Sequence, residues 1–314
     1  MNTHTASVTT AKSAAVAPKQ ATGASVNIPP RRLDFEFPET MSRYYFDNSP
    51  FLSSFLTTLS ALFPEGESFF VESVRAYRDQ ITDPVLRAQV SGFIGQEAMH
   101  SKEHASFNEA ATRMGYPVLQ QDKELGYVLR FGQRFLPKAV QISITTALEH
   151  YTAIIAEMLL RDPDVQQKFS PEMRQLWLWH ALEENEHKTV AYDVYEQVSG
   201  SYLLRAGTMI PVTAIFFAVV AVNHTRMLVA DGKLTNFKDN WNGLKYCWGG
   251  RKGVFSRLLP VYLDYFRPDF HPNDHDTSAL LDEWREKLFG NKGLLTEQLK
   301  TAGKKKSRKL AAAA

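Results

Sequence analysis

Along most of this chain the apolar residues return every three or four positions, the period of helices that bury one face. The pattern predicts a short helix over 51–62 and a second from Pro64 to about Gln80, with Pro64 near its first turn, where a missing amide does little harm. Thr82, Asp83 and Pro84 form a start signal, since Asp83 can accept orphan amides and Pro84 suits the first helical position. That helix should run to about Met114 and stop at Gly115-Tyr116-Pro117. After a polar loop and a segment from about Lys123 to Phe135, Pro137 opens a helix reaching roughly Arg161. Asp162-Pro163 and Ser170-Pro171 are the next boundaries, and one long helix is expected from Pro171 to about Val198. A last helix is expected over Thr277–Phe289, after an aromatic stretch, Pro260–Pro272, that wraps the rest. The predicted class is all-α.

Polar residues that interrupt this pattern carry the chemistry. Between Ala139 and Leu160 nearly every position is apolar or small, which marks a buried helix, yet Glu149 lies in the middle. Its neighbours three and four positions away, Thr145, Thr146, Thr152 and Ala153, cannot neutralise it. A buried carboxylate protonates, pairs or coordinates a cation, and coordination is the preferred reading. Farther along, His180, Glu184 and His187 fall at about 0, +40 and −20 degrees around one helix, a single narrow stripe. The Glu184-x-x-His187 spacing repeats upstream as Glu97-x-x-His100. Glu67 precedes Glu97 by 30 positions and Glu149 precedes Glu184 by 35, so each half of 64–198 reads Glu and then, one helix later, Glu-x-x-His. This ordered quartet is the inward-facing ligand set of a dinuclear metal site in a four-helix bundle.

Several neighbours compete for these roles. Glu65 and Glu72 lie off the face of Glu67, and Glu183 rivals Glu184, but the Glu97 precedent decides for Glu184. His180 has Phe93 as its counterpart in the first half, so its addition to the ligands makes the site asymmetric. His104, one turn beyond His100, is a tentative further ligand or a partner behind one. Glu103 and Glu186 point off the stripe and are expected to be solvated, and His271 and His275 read as loop residues.

Composition narrows the chemistry. Cys247 is the single cysteine, which removes thiolate cages and disulfide frameworks and fits a reducing, cytoplasmic setting. Oxygen and imidazole ligands suit two iron ions, with manganese or zinc as alternatives. A net charge of +2 gives no global field for nucleic acid, which is excluded as a partner. Residues 1–30 are expected to be a disordered tail, 31–290 one helical domain with its metal-binding core at 64–198 and additional helices at 201–290, and 291–314 a helix end and basic tail. Ala206–Val222 has no charge; the preferred reading is a buried fifth helix, and the alternative is membrane contact through 201–260, where Trp241, Trp248, Arg251 and Lys252 mix aromatics with cations.

The set Glu67, Glu97-x-x-His100, Glu149 and Glu184-x-x-His187 resembles the ferritin-like di-iron carboxylate superfamily. The stretches around Glu67, Glu97, Glu149-His150 and His180–His187, with Arg267–Pro272, resemble a bacterial family labelled predicted metal-dependent hydrolases. The His180-x-x-x-Glu184-x-x-His187 pattern is also similar to arylamine N-oxygenases, which implies that His180 is an extra ligand. The leading expectation is a non-haem di-iron oxidase or oxygenase, using dioxygen and an electron donor on a small-molecule or lipid-like substrate. The alternatives are a two-metal hydrolase and a non-catalytic iron-binding protein.

Overall fold

Helix starts in this chain are set by short polar side chains that take up the first free amides. Ser49 accepts from Leu52 N at 3.1 Å and Asp83 from Val85 N at 3.0 Å. The computed structural model describes residues 22–301, and among these the regular elements are all helical. The α-helices are α1 (Pro50–Arg75), α2 (Pro84–Arg113), α3 (Val118–Phe135), α4 (Lys138–Arg161), α5 (Pro163–Gln166), α6 (Pro171–His187), α7 (Val190–Val198), α8 (Tyr202–Ala230), α9 (Phe237–Trp248), α10 (Val254–Asp264) and α11 (Ser278–Phe289). Helix α1 packs against α2, and α4 against α6; contacts of α1 with α4 and of α2 with α6 and α7 close the four into a ring. The remaining helices cover this ring from outside, α3 and α8 both lying on α1 and α4.

Pro64 does not separate two helices: α1 runs unbroken from Pro50 to Arg75 with Pro64 inside it. An internal proline removes the amide that would bond the carbonyl four residues back. Here that carbonyl, Ser60 O, accepts instead from Asn108 Nδ2 of α2 at 2.9 Å. A side chain from a neighbouring helix thus replaces the lost bond, which the local sequence could not foretell. The expected helix Pro171–Val198 is interrupted at Lys188 and Thr189, directly after His187.

Of the expected tail, residues 1–21 lie outside the described residues, as do 302–314 of the basic terminus. Residues 22–30 are folded against α2. A Cβ on Gly92 would come within 2.5 Å of Ile28 O, so the glycine permits a backbone approach that alanine would block. Ile28 is buried there, and an extended strap follows it, with Leu33, Phe35 and Phe37 in the core.

The apolar stretch 206–222 belongs to a helix of 29 residues, α8, and is not the buried element preferred above: in its most apolar window only 17% is buried. One stripe, with Arg205, Met209, Asn223, His224 and Met227, faces the protein. Arg205 is held by the carbonyls of Tyr265 and Arg267, and so ties the start of α8 to the aromatic turn after α10.

His224 sits where α8 meets α1, with Nε2 donating to Phe51 O at 3.0 Å, and burial lowers its pKa to about 4. A histidine kept neutral by the fold contributes stability that is complete above the unfolded value of ~6.5 and lost as pH falls towards 4. Urea titrations should therefore show His224→Gln losing roughly 2 kcal/mol less stability than wild type between pH ~7 and ~4.5. An equal loss in both proteins would assign the acid sensitivity elsewhere.

Candidate metal centre

The four helices of the ring turn their acidic and imidazole side chains to one interior point. Glu67 comes from α1, Glu97 and His100 from α2, Glu149 from α4, and His180, Glu184 and His187 from α6, all buried. They form two groups whose ligand atoms lie within 4.8 Å of one another: Glu67, His100 and His180, and Glu97, Glu184 and His187. Glu149 belongs to neither group, but its Oε2 is 3.6 Å from His187 Nε2. Glu97 Oε1 stands 3.0 Å from His187 Nε2, while Glu97 Oε2, both oxygens of Glu149, Glu67 Oε1, Glu184 Oε2 and His100 Nδ1 have no hydrogen-bond partner. Buried polar groups are ordinarily satisfied, so a cluster of unpartnered acceptors is what a cation site looks like before its protons are replaced. The set offers only oxygen and imidazole nitrogen, which fits iron, manganese or zinc.

Outer partners fix which nitrogen each histidine turns inward. His100 Nε2 donates to the Glu183 carboxylate at 3.1 Å, leaving Nδ1 towards Glu184. Gln96 Nε2 donates to Glu186 at 2.7 Å, so its Oε1 must accept from His187 Nδ1 at 3.0 Å, leaving His187 Nε2 inward. The third chain starts at the Pro64 repair. Because Asn108 Nδ2 is spent on Ser60 O, its Oδ1 accepts from Ser60 Oγ at 2.8 Å. Ser60 Oγ then accepts from His104 Nδ1 at 2.8 Å, and His104 Nε2 from His180 Nδ1 at 2.6 Å. His180 Nε2 is left bare beside Glu184 Oε1, 2.9 Å away. Such outer bonds orient ligands and raise their basicity.

The electrostatics follow from burial and these pairings. Burial, then the neighbouring Glu97, drive the carboxyls of Glu67 and Glu149 well above the usual range. Burial also raises Glu97, whereas the imidazoles of His100, His180 and His187 around Glu184 overcome burial and hold it well below the usual range. His100 and His187 are driven well above the ordinary histidine value because their carboxylate partners outweigh burial.

Other residues depart from the sequence expectation. His104 spends one ring nitrogen on Ser60 and the other on His180, so it stands behind a candidate ligand and is not one itself. Glu183, the rival of Glu184, stands behind His100, and Glu186 is not on a solvated face: Arg31, from the strap after residue 30, bonds Glu183 at 2.8 Å and Glu186 at 2.7 and 2.8 Å. Glu103 is likewise buried and accepts from the amides of Asp34 and Phe35 at 3.0 and 2.8 Å. His271 and His275 pair with Asp193 and Asp264 at 2.9 and 3.0 Å. Arg31 and Asn108 were not anticipated, because their partners lie far away in sequence; Gln96 had a faint signal in its place beside Glu97.

On the side away from Arg31, an apolar cavity of about 330 Å³ reaches the cluster. Glu67, His180 and Glu184 form its inner end, and α1, α3, α4 and α8 supply walls of leucine, isoleucine, valine and phenylalanine.

A family model described as predicted metal-dependent hydrolase matches residues 29–276. No curated protein and no solved structure matches the chain. The match supports the hydrolytic expectation more than the oxidative one.

Glu149 gives a test with two signs. Glu149→Gln removes a costly buried acid, so the metal-free protein should melt higher, by a few degrees for roughly 1–3 kcal/mol. The gain in melting temperature on adding metal should shrink, with metal analysis showing less than two ions. Full occupancy in the variant would remove Glu149 from the ligand set. Gln96→Leu and Asn108→Leu should each weaken metal binding ~10- to 100-fold without touching a ligand, read by competition with a chelating dye.

Proposed function

The chain belongs to the family of predicted metal-dependent hydrolases, and from that premise we propose a dinuclear metal-dependent hydrolase of ferritin-like architecture acting on an apolar substrate. The observation that carries this reading is the junction of the apolar cavity with Glu67, His180 and Glu184. Glu67, His100 and His180 would hold one divalent ion and Glu97, Glu184 and His187 the other. Two such ions, when bound, would polarise the scissile group and make water a nucleophile near neutral pH. The protein supplies the rest. The cavity aligns the chain of the substrate and excludes bulk water, which converts encounter into a positioned reaction. Glu149, outside both triads but with Oε2 3.6 Å from His187 Nε2, would join the second ion's set through one oxygen, and its other oxygen is the group we assign to take a proton from water.

Oxidation by dioxygen at two irons is the second reading. One observation favours it: the cavity wall beyond the cluster is almost entirely hydrocarbon, with few hydrogen-bond donors for an ester or amide.

The two readings separate in one comparison. Purified protein, reconstituted in turn with zinc, manganese and anaerobic ferrous iron, is offered a long-chain p-nitrophenyl ester and, separately, dioxygen with the corresponding free fatty acid. Hydrolysis that is lost with a chelator, and reduced at least ~100-fold by Glu97→Ala, is expected. Oxygen uptake by the ferrous protein without ester cleavage under any metal would replace hydrolysis with oxidation.

A further inference from the structure

From Tyr202 to Ala230 every exposed position of α8 is uncharged, and most are Leu, Ile, Val, Ala, Gly or Pro. The stripe extends from Leu203 to Val229, ~39 Å at 1.5 Å per residue. Exposed helix faces are normally polar, and an apolar patch of this extent marks a binding surface. Beside it, α3 exposes Tyr127, Phe131 and Phe135, one turn apart, Phe131 being 66% exposed. The two helices are joined at one end, where Gln121 Nε2 donates to Asn223 O at 3.1 Å and Arg226 pairs with Glu124 at 2.6 Å.

Away from that joint, α3 and α8 form the outer wall of the cavity that ends at the metal cluster. Val128 of α3, Leu136 just after it and Ile215 of α8 line the cavity and are exposed as well, Ile215 by 61%. The mouth of the cavity therefore opens in the apolar face, and a molecule leaving that face can pass to Glu67 and His180 without crossing water.

We propose that the α3–α8 face docks on the surface of an anionic lipid bilayer and admits an acyl-chain substrate sideways from the leaflet into the cavity; the substrate half of this inference rests on the metal-enzyme reading above. Charge identifies the occupant. Segments 118–138 and 206–264 hold eleven Lys and Arg against five Asp and Glu, although the whole chain carries only +2. Arg134, Lys138, Lys245, Arg251 and Lys252 are exposed, and Lys245 stands 5.3 Å from the ring of the exposed Trp241. An apolar strip with aromatic and cationic margins is the pattern of helices lying in the interface of anionic membranes. A second copy fits less well, since a two-fold contact brings each patch against itself and would face the cationic margins with one another. Nor does α8 cross the bilayer, because its opposite stripe buries Arg205, Asn223 and His224 against the protein.

Full-length protein is floated with vesicles of dioleoylphosphatidylcholine, or of an equimolar mixture with dioleoylphosphatidylglycerol, and metal is measured in the same fractions. Flotation with the anionic vesicles, reversed by high salt, is expected. Phe131→Glu with Ile210→Glu, both exposed and outside the cavity lining, should weaken partitioning at least tenfold while leaving the circular dichroism spectrum and metal content unchanged, and Leu294→Glu, at an exposed leucine outside both segments, should not. Gly66 lines the cavity with open space at its Cβ position, so Gly66→Leu should float normally yet lose binding of a pyrene-labelled fatty acid. Wild-type protein that stays at the bottom with both vesicles overturns the proposal, as does a stable dimer that only the double variant dissociates. Flotation of protein without metal would sink the metal-centre reading and leave the docking surface standing, whereas metal without flotation would do the reverse.

Discussion

Four carboxylates cannot share a dry interior unless positive charge is shared among them. Glu67, Glu97, Glu149 and Glu184 do share one, and much of the surrounding structure serves to make that arrangement tolerable. The imidazoles of His100 and His187, beside Glu184 and Glu97, meet part of the requirement. Neither oxygen of Glu149 has a hydrogen-bond partner, a local cost that the rest of the core must outweigh.

The cluster stands between two unlike surroundings. On one side Glu183, Glu186, Gln96, Arg31 and Arg285 form a continuous set of ionic and amide contacts that fixes two of the histidine rings. On the other side the polar contacts stop at His180 and Glu184, and hydrocarbon begins. Charge is thus organised behind the ligands and kept out of the space in front of them.

How much of this could be read from the sequence depended on distance along the chain. Ligands on one helix were legible because three- and four-residue spacings map directly onto a face: His180, Glu184 and His187 share α6 as the stripe required. The helical class followed from the same periodicity. Residues whose role depends on remote partners were not legible. Glu186 and Glu103 read as surface acids, and Glu183 as a rival ligand, because nothing within a turn of them hints at Arg31 or at the strap amides of Asp34 and Phe35. Pro64 read as a boundary because its compensation comes from Asn108, which reaches Ser60 O across 48 positions. Helix α8 was misjudged for another reason: hydrophobicity reports a wish to leave water, and says nothing of whether protein or something else grants it.

Arg31 bonds Glu183 across 152 positions and Glu186 across 155. A chain made from its N-terminus holds Arg31 ready long before those acids exist, so the strap cannot close on the centre until α6 has been synthesised and folded against α2 and α4. Closure of the strap is therefore a late event in the life of a nascent chain. Until it occurs, Glu183 and Glu186 lack the guanidinium that pairs with both of them in the folded protein.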